Sequence, residues 1–203
     1  MTDNEKTPAT STRERILDAF EALLGESGER AATLEAVAGS AGISKGGLLY
    51  HFGSKEVLID GLLARLEMMV ALDVAEIHSS EAGPVAHLIR TSPTTGNTLD
   101  RALVAVSRLA QASNSRARQA LRAANEAWYE AVLETVGDPV LTRTIMLISD
   151  GLYYGAAFFP TDDPHPAATF DTAATAHQPD LEGIIALLET LTAIPSRTGV
   201  KAP

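Results

Sequence analysis

Residues 33–55 read TLEAVAGSAGISKGGLLYHFGSK, and their order of caps, apolar positions and glycine decides the fold. Thr33 stands where a hydroxyl can accept an orphan backbone N–H, so it opens a helix. Leu34, Val37 and Ala38 recur at helical spacing and form the inward face. Ala38 is small, which lets a second helix cross close by. Gly42 tolerates positive φ and ends the first helix in a sharp turn. Ile43 plugs that turn with an apolar side chain, and Ser44 caps a second short helix running to about Tyr50. Two short helices, a glycine-containing turn and a shared core make a helix-turn-helix. In such units the second helix enters the major groove while the first crosses the phosphate backbone.

The flanking sequence completes the unit. From Thr12 to Ser27 the apolar positions Ile16, Leu17, Phe20, Leu23 and Leu24 fall on one helical stripe, and Gly28 is placed to end it. Beyond the turn, Ser54 caps a long helix from Lys55 to about Ile77, with Glu56 in its first turn favoured by the helix dipole. Its apolar residues Val57, Leu58, Leu62, Leu66, Met69 and Leu72 cover more than one stripe. Such a helix packs against two things, the reading head and a second domain, and links them mechanically.

The run AVAGSAGISKGGLLYHFGSKEVLIDGLL resembles the DNA-binding segment of TetR-type (tetracycline-repressor-like) transcriptional regulators. The matching residues are Ala38, Ala41, Gly42, Ile43, Ser44, Lys45, Gly46, Tyr50, His51, Phe52, Ser54, Lys55 and Glu56. With the preceding helix the resemblance covers roughly the first third of the chain. It implies about nine helices, three for DNA and the rest a regulatory bundle whose last two helices pair with their copies in a second subunit. The boundaries expected are an arm at 1–11, a DNA-binding domain at 12–53, a regulatory and dimerisation domain at 54–194, and a tail at 195–203.

The 203 residues are ample for a real core, and 45% hydrophobic with 21% charged residues is ordinary for a globular protein. No apolar run reaches the length of a membrane span, so no membrane partner is expected. With no cysteine, disulfides and thiolate metal sites are excluded. The opening residues are polar and include acids, unlike a secretory signal or transit peptide, which points to the cytoplasm. The net charge of −10 argues against nucleic acid until it is counted locally. From Ala36 through Lys55 there is no Asp or Glu. Lys45 and Lys55 are cationic there, His51 can become so, and Arg13 and Arg15 could add to that face.

The remaining chain reads as further helices. Gly83–Arg90 is a weaker segment before the turn-rich TSPTTGN. Thr98 to about Ala112 turns Leu99, Leu103, Val106 and Leu109 inward. Ser115–Val136 carries Leu121, Trp128, Val132 and Leu133 and stops at Gly137. Pro139 suits a first turn, and the helix it opens runs to about Phe159 on Leu141, Ile145, Ile148, Leu152 and Phe159. A loop of Pro, Asp, Thr and His precedes the last helix, Pro179–Ile194, built on Leu181, Ile184, Ile185, Leu188 and Leu191. No strand pattern or repeat appears, so the architecture is all-α. The two apolar C-terminal helices need burial, which a four-helix dimer interface would provide through Leu141, Ile145, Ile148, Leu152, Ile184, Leu188 and Leu191. Filling the core of a monomer is the alternative.

Lys45, at the start of the second short helix, can reach a guanine edge or a phosphate. Gly46 and Gly47 each cost a helix roughly 1 kcal/mol against Ala. They permit close backbone approach to DNA, or else mark a frayed tip. Many TetR-type proteins have a larger residue at the position of Gly47, so base readout here is thin and DNA shape takes a larger share. Tyr50 and His51 offer donors to phosphate oxygens. The resemblance implies a phosphate contact for Tyr50 and a core role for Phe52, while His51 has a structural role as its alternative. Thr33, Ser44 and Lys55 open helices, where free N–H groups and the dipole favour an anion.

Met69, Asn125, Trp128, Tyr153 and Phe158, with Met68, Tyr129 and Tyr154 nearby in the pattern, could line a pocket between helices. The effector expected is a small apolar or aromatic molecule, cationic if Glu126 or Asp150 offsets its charge. Ordinary core is the alternative for each residue. Enzyme readings fare badly, and no catalytic residues, cofactor or metal are expected. His51, His78, His87, His165 and His177 lack i, i+4 metal spacing, and no phosphate loop or nucleophile elbow is present. The Asp162-Asp163-Pro164-His165 cluster reads as a solvated loop. The function expected is a homodimeric repressor released from a double-stranded DNA operator by a small molecule. The alternatives are an activator, a co-repressor-dependent regulator, or a helical interaction protein that does not act through DNA.

Overall fold

The computed structural model describes residues 11–158 and 180–194, and among them the chain is all-α. Residues 1–10, Phe159, the loop with Asp162-Asp163-Pro164-His165 and His177, Pro179 and the tail from 195 lie outside the described residues. The helices are α1 Thr12–Ser27, α2 Leu34–Ser40, α3 Lys45–Phe52, α4 Lys55–Ser79, α5 Pro84–Thr91, α6 Thr98–Gln111, α7 Ser115–Val136, α8 Pro139–Phe158 and α9 Leu181–Thr192. The last begins later than its pattern suggested, because the Asp180 carboxylate caps it by accepting the Gly183 N–H at 2.9 Å. None of the described helices is long and apolar enough to cross a membrane.

The chain forms two compact units. The first contains residues up to Val70 together with Asn97–Ala124. Here α1 packs on α2 and on α6, and α2 on α3. Its core is Ile16, Leu17, Phe20, Leu24, Leu48, Phe52, Leu58, Leu62 and Leu66, each almost wholly buried. On α6 the fully buried positions are Ala102, Ala105, Val106 and Leu109, while Leu99 and Leu103 are half-buried. The small alanines let α6 lie close to α1. Close approach recurs at Gly61 of α4: a Cβ there would stand 2.8 Å from Phe52 Cε1 and 3.3 Å from Leu17 Cδ2.

One buried charge ties this unit together. Arg65 of α4 donates to Asp18 at 2.7 Å, to Glu21 at 3.2 Å, and to the carboxylate of Glu14, all on α1. Arg101 of α6 approaches the same Glu21 at 3.7 Å. Burial would lower the Arg65 pKa, but its three carboxylate partners outweigh it and hold the guanidinium charged. Glu21 bears the cost. Its burial pushes the carboxyl above the ordinary range, against the pull of Arg65 and Arg101.

The second unit contains Ala71–Gly96 and the chain from Asn125. Ile77, Val85, Leu88, Ile89, Val132, Ile145, Met146, Ile185 and Leu188 form its core. α5 packs on α8 and α9, and α8 on α9. The Arg90 guanidinium grips the Glu182 carboxylate through two bonds of 2.8 and 2.9 Å, and the Ser92 and Ser149 hydroxyls meet at 2.7 Å.

This packing corrects the expected dimerisation set. Ile145 is 0% and Leu188 1% exposed, so both are spent inside the unit and present no surface to a partner. Leu141, Ile148, Leu152 and Ile184 are half-buried against the same core, and Leu191 is exposed. The apolar residues that do face outward are Val140, Leu147, Tyr154 and Phe158 on α8, with Leu187, Leu191 and Ile194 at the C-terminal end. α8 carries two apolar stripes, and periodicity alone does not say which one meets the core.

Candidate nucleic-acid interface and effector site

Two caps and two arginines shape the helix-turn-helix. The Thr33 hydroxyl accepts the Ala36 N–H at 3.2 Å and opens α2. The Ser44 hydroxyl accepts the Gly47 N–H at 3.0 Å and opens α3. Gly42, at φ +67°, turns the chain between them, and the Ile43 N–H returns to the Ala38 carbonyl at 3.0 Å. A Cβ on Gly47 would crowd the capping hydroxyl at 3.3 Å, whereas one on Gly46 would meet it at an ordinary 3.9 Å. Gly47 therefore serves the cap as well as any approach to DNA.

Arg13 and Arg15, expected to add charge to the DNA face, are engaged within the unit. Arg15 donates to the Ala41 carbonyl at 2.6 Å, closing the end of α2. Arg13 donates to the His51 carbonyl at 3.0 Å, with its guanidinium 4.1 Å from the centre of the Phe52 ring. Cations at helix C-termini satisfy orphan carbonyls and oppose the dipole.

The inner side of α3 is Leu48 and Phe52, both 0% exposed. Its outer side gathers Lys45, Gly46, Leu49 and Tyr50, the last 86% exposed. His51 is half-buried, its ring edge-on to Tyr50 at 5.3 Å. Lys45 is ion-paired with Glu35 on α2, and that hydrogen bond holds the Glu35 carboxyl below its ordinary pKa. Lys55 bonds the Glu29 carboxylate at 2.5 Å and the Glu29 carbonyl at 3.2 Å. Both lysines thus have acidic partners just before Ala36, outside the acid-free window. A sequence count has no means of finding these pairs, because the partners lie 10 and 26 residues away.

Residues 16–62 match the family described as bacterial regulatory proteins, tetR family. The match is to this N-terminal segment of the chain. It is 43% identical over 63 residues to the HTH-type transcriptional regulator UidR of Escherichia coli K12, covering 31% of this chain and 32% of the relative. It is 36% identical over 78 residues to the HTH-type transcriptional repressor KstR2 of Mycobacterium tuberculosis H37Rv, covering 38% and 39%. The chain thus matches about a third of the length of these curated relatives. The whole fold is similar to a solved structure of the multidrug binding protein EbrR complexed with malachite green. That likeness has a TM-score of 0.62 and 19% identity over 91% of this chain and 100% of that one.

The expected effector residues are divided between the two units. Met69 belongs to the first unit; Asn125, Trp128, Tyr153 and Phe158 belong to the second. Phe158 is 61% exposed and stacks on Tyr154 at 4.2 Å, so it lines surface and not an enclosed pocket. Asn125 and Tyr153 are half-buried, and Glu126 and Asp150 are exposed. Trp128 is half-buried, and its indole N–H donates to the Asp73 carboxylate at 2.7 Å. Burial pushes the Asp73 carboxyl above its ordinary pKa, with the Trp128 bond opposing. His87 Nε2 and Thr142 Oγ1 are buried and make no hydrogen bond among the described residues. Sequence reasoning missed Asp73, Glu76 and His87 as a group, because it looked for ligands on one helix.

Proposed function

We propose that the chain is a homodimeric, ligand-responsive transcriptional repressor. The observation that carries this reading is the outer face of α3, where Tyr50 stands 86% exposed beside Lys45 and Gly46 while Leu48 and Phe52 anchor the other side. An exposed tyrosine, a lysine and a side-chain-free glycine on one short helix suit a major groove and its flanking phosphates. Lys45 exchanges Glu35 for a phosphate or a guanine edge on binding, and the Tyr50 hydroxyl donates to a phosphate. Thr33, Ser44 and Lys55 hold the helix openings toward the backbone. The similarity to a regulator and a repressor over about a third of the chain supports this assignment.

Two copies pair through the outward apolar residues of α8 and the C-terminal end, which places two reading heads about one duplex turn apart, roughly 34–36 Å. A small apolar or aromatic molecule bound near Trp128 in the second unit favours a state in which α4 tilts, and the operator is released. The structural relative that binds malachite green supports an effector of that kind. The effect requires different affinities of the ligand for the two states, typically 1–3 kcal/mol. Selection of bound duplexes from a random-sequence library tests the assignment. It should enrich a near-palindrome with half-sites one turn apart; a pool that stays random after repeated rounds would remove the reading.

A further inference from the structure

We propose that Asp73, Glu76 and His87 bind a divalent first-row transition metal ion, with Trp128 holding one ligand in place. Asp73 and Glu76 lie three residues apart on α4 and so share a face. Gly83 at φ +83° and Pro84 turn the chain into α5, which returns His87 to that face. One ligand atom from each of the three lies within 4.8 Å of the others.

A second observation turns this juxtaposition into a site. His87 Nε2 is buried without a hydrogen-bond partner among the described residues. An orphaned buried polar atom costs about 1–3 kcal/mol, and native proteins rarely keep one without a reason. A metal ion held through Nε2 would supply the missing partner. The Asp73 carboxylate, meanwhile, is already oriented: one oxygen accepts the Trp128 N–H at 2.7 Å, which leaves the other to ligate. Outer hydrogen bonds of this type fix ligating carboxylates in metal sites.

The donor set names the class of ion. One imidazole and two carboxylates suit Zn²⁺, Co²⁺, Ni²⁺ or Mn²⁺, whereas Ca²⁺ and Mg²⁺ favour all-oxygen surroundings. Three protein ligands leave a further position for water or a small anion. Ligand atoms around zinc stand about 3.3 Å apart at bond lengths of about 2.0–2.2 Å, so binding draws the three side chains together. Glu76 is exposed and free to make that movement.

The chain supplies its own reporter, because Trp128 is its single tryptophan. The full-length chain, stripped with chelator, is titrated with Co²⁺ and with Zn²⁺ while tryptophan emission and Co²⁺ visible absorption are followed. The expected result is saturation at one ion per chain in the micromolar range, with Mg²⁺ at the same concentration silent. Glu76→Gln, at an exposed position, should leave the circular dichroism unchanged and weaken Co²⁺ binding by about tenfold or more, and His87→Ala should do the same. No saturable signal, or binding that both substitutions leave unchanged, would overturn the assignment.

Discussion

Lys45, the first residue of α3, is ion-paired with Glu35 in the first turn of α2. Both side chains are largely exposed, at 51% and 65%, so the pair is readily given up. In the absence of DNA, Glu35 neutralises the cation best placed to meet a phosphate. Glu35→Gln should therefore raise operator affinity several-fold at low salt and leave the melting temperature unchanged. Lys45→Ala should weaken binding and reduce the slope of log affinity against log salt by about one. Titrations of the two variants at several salt concentrations check both.

Gly61 predicts an unusual helix substitution. Alanine normally favours a helix interior by roughly 1 kcal/mol over glycine. Here its methyl would press on the Phe52 ring at 2.8 Å. Overpacking of this kind typically costs about 1–3 kcal/mol, so Gly61→Ala should destabilise the first unit. Chemical denaturation reads the sign, and a stabilised variant would contradict the packing.

Arg65 is 7% exposed as a side chain and neutralises Glu21, which is 5% exposed. Removing one partner of a buried pair strands the other, so Arg65→Met should destabilise by about 3–5 kcal/mol. The pH dependence follows from the raised Glu21 pKa. The folded state holds this proton more tightly than the unfolded state does, so the contribution to stability falls as pH rises from the ordinary value of 4.5 through the raised folded value. Above that value the loss is complete. Glu21→Gln should accordingly gain stability relative to the natural chain as pH rises across this window. Denaturation of both at matched pH values would detect it.

The outward apolar residues of α8 predict the assembly. Leu147 and Tyr154 are 63% and 56% exposed, one heptad apart. Leu147→Glu should convert dimers to monomers in sedimentation velocity with the helical signal retained. A substitution at Ile145 should instead unfold the second unit, because that side chain is core.

Local chemistry made the first four helices legible. Thr33, Ser44 and Ser54 announce their caps, Gly28 and Gly42 announce stops, and Leu48 and Phe52 fall on the face that packs. The outer face of α3 follows from the same register. What remained hidden depends on which distant helices meet. α8 has two apolar stripes, so choosing the buried one required knowing where α5 and α9 lie. Arg13 and Arg15 read as surface cations in sequence, and only the fold shows that they also close the ends of α3 and α2. Asp73 and His87 are unremarkable in sequence, and only the return of α5 sets them beside each other and Trp128.

The most direct test of the central claim is fluorescence anisotropy of the purified chain on its selected duplex, across a salt series, with random duplex as competitor. The account predicts tight, salt-dependent binding that survives the competitor and is lost in Tyr50→Ala without any change in melting temperature. Binding equal on selected and random duplexes, or untouched by loss of Tyr50, would contradict it.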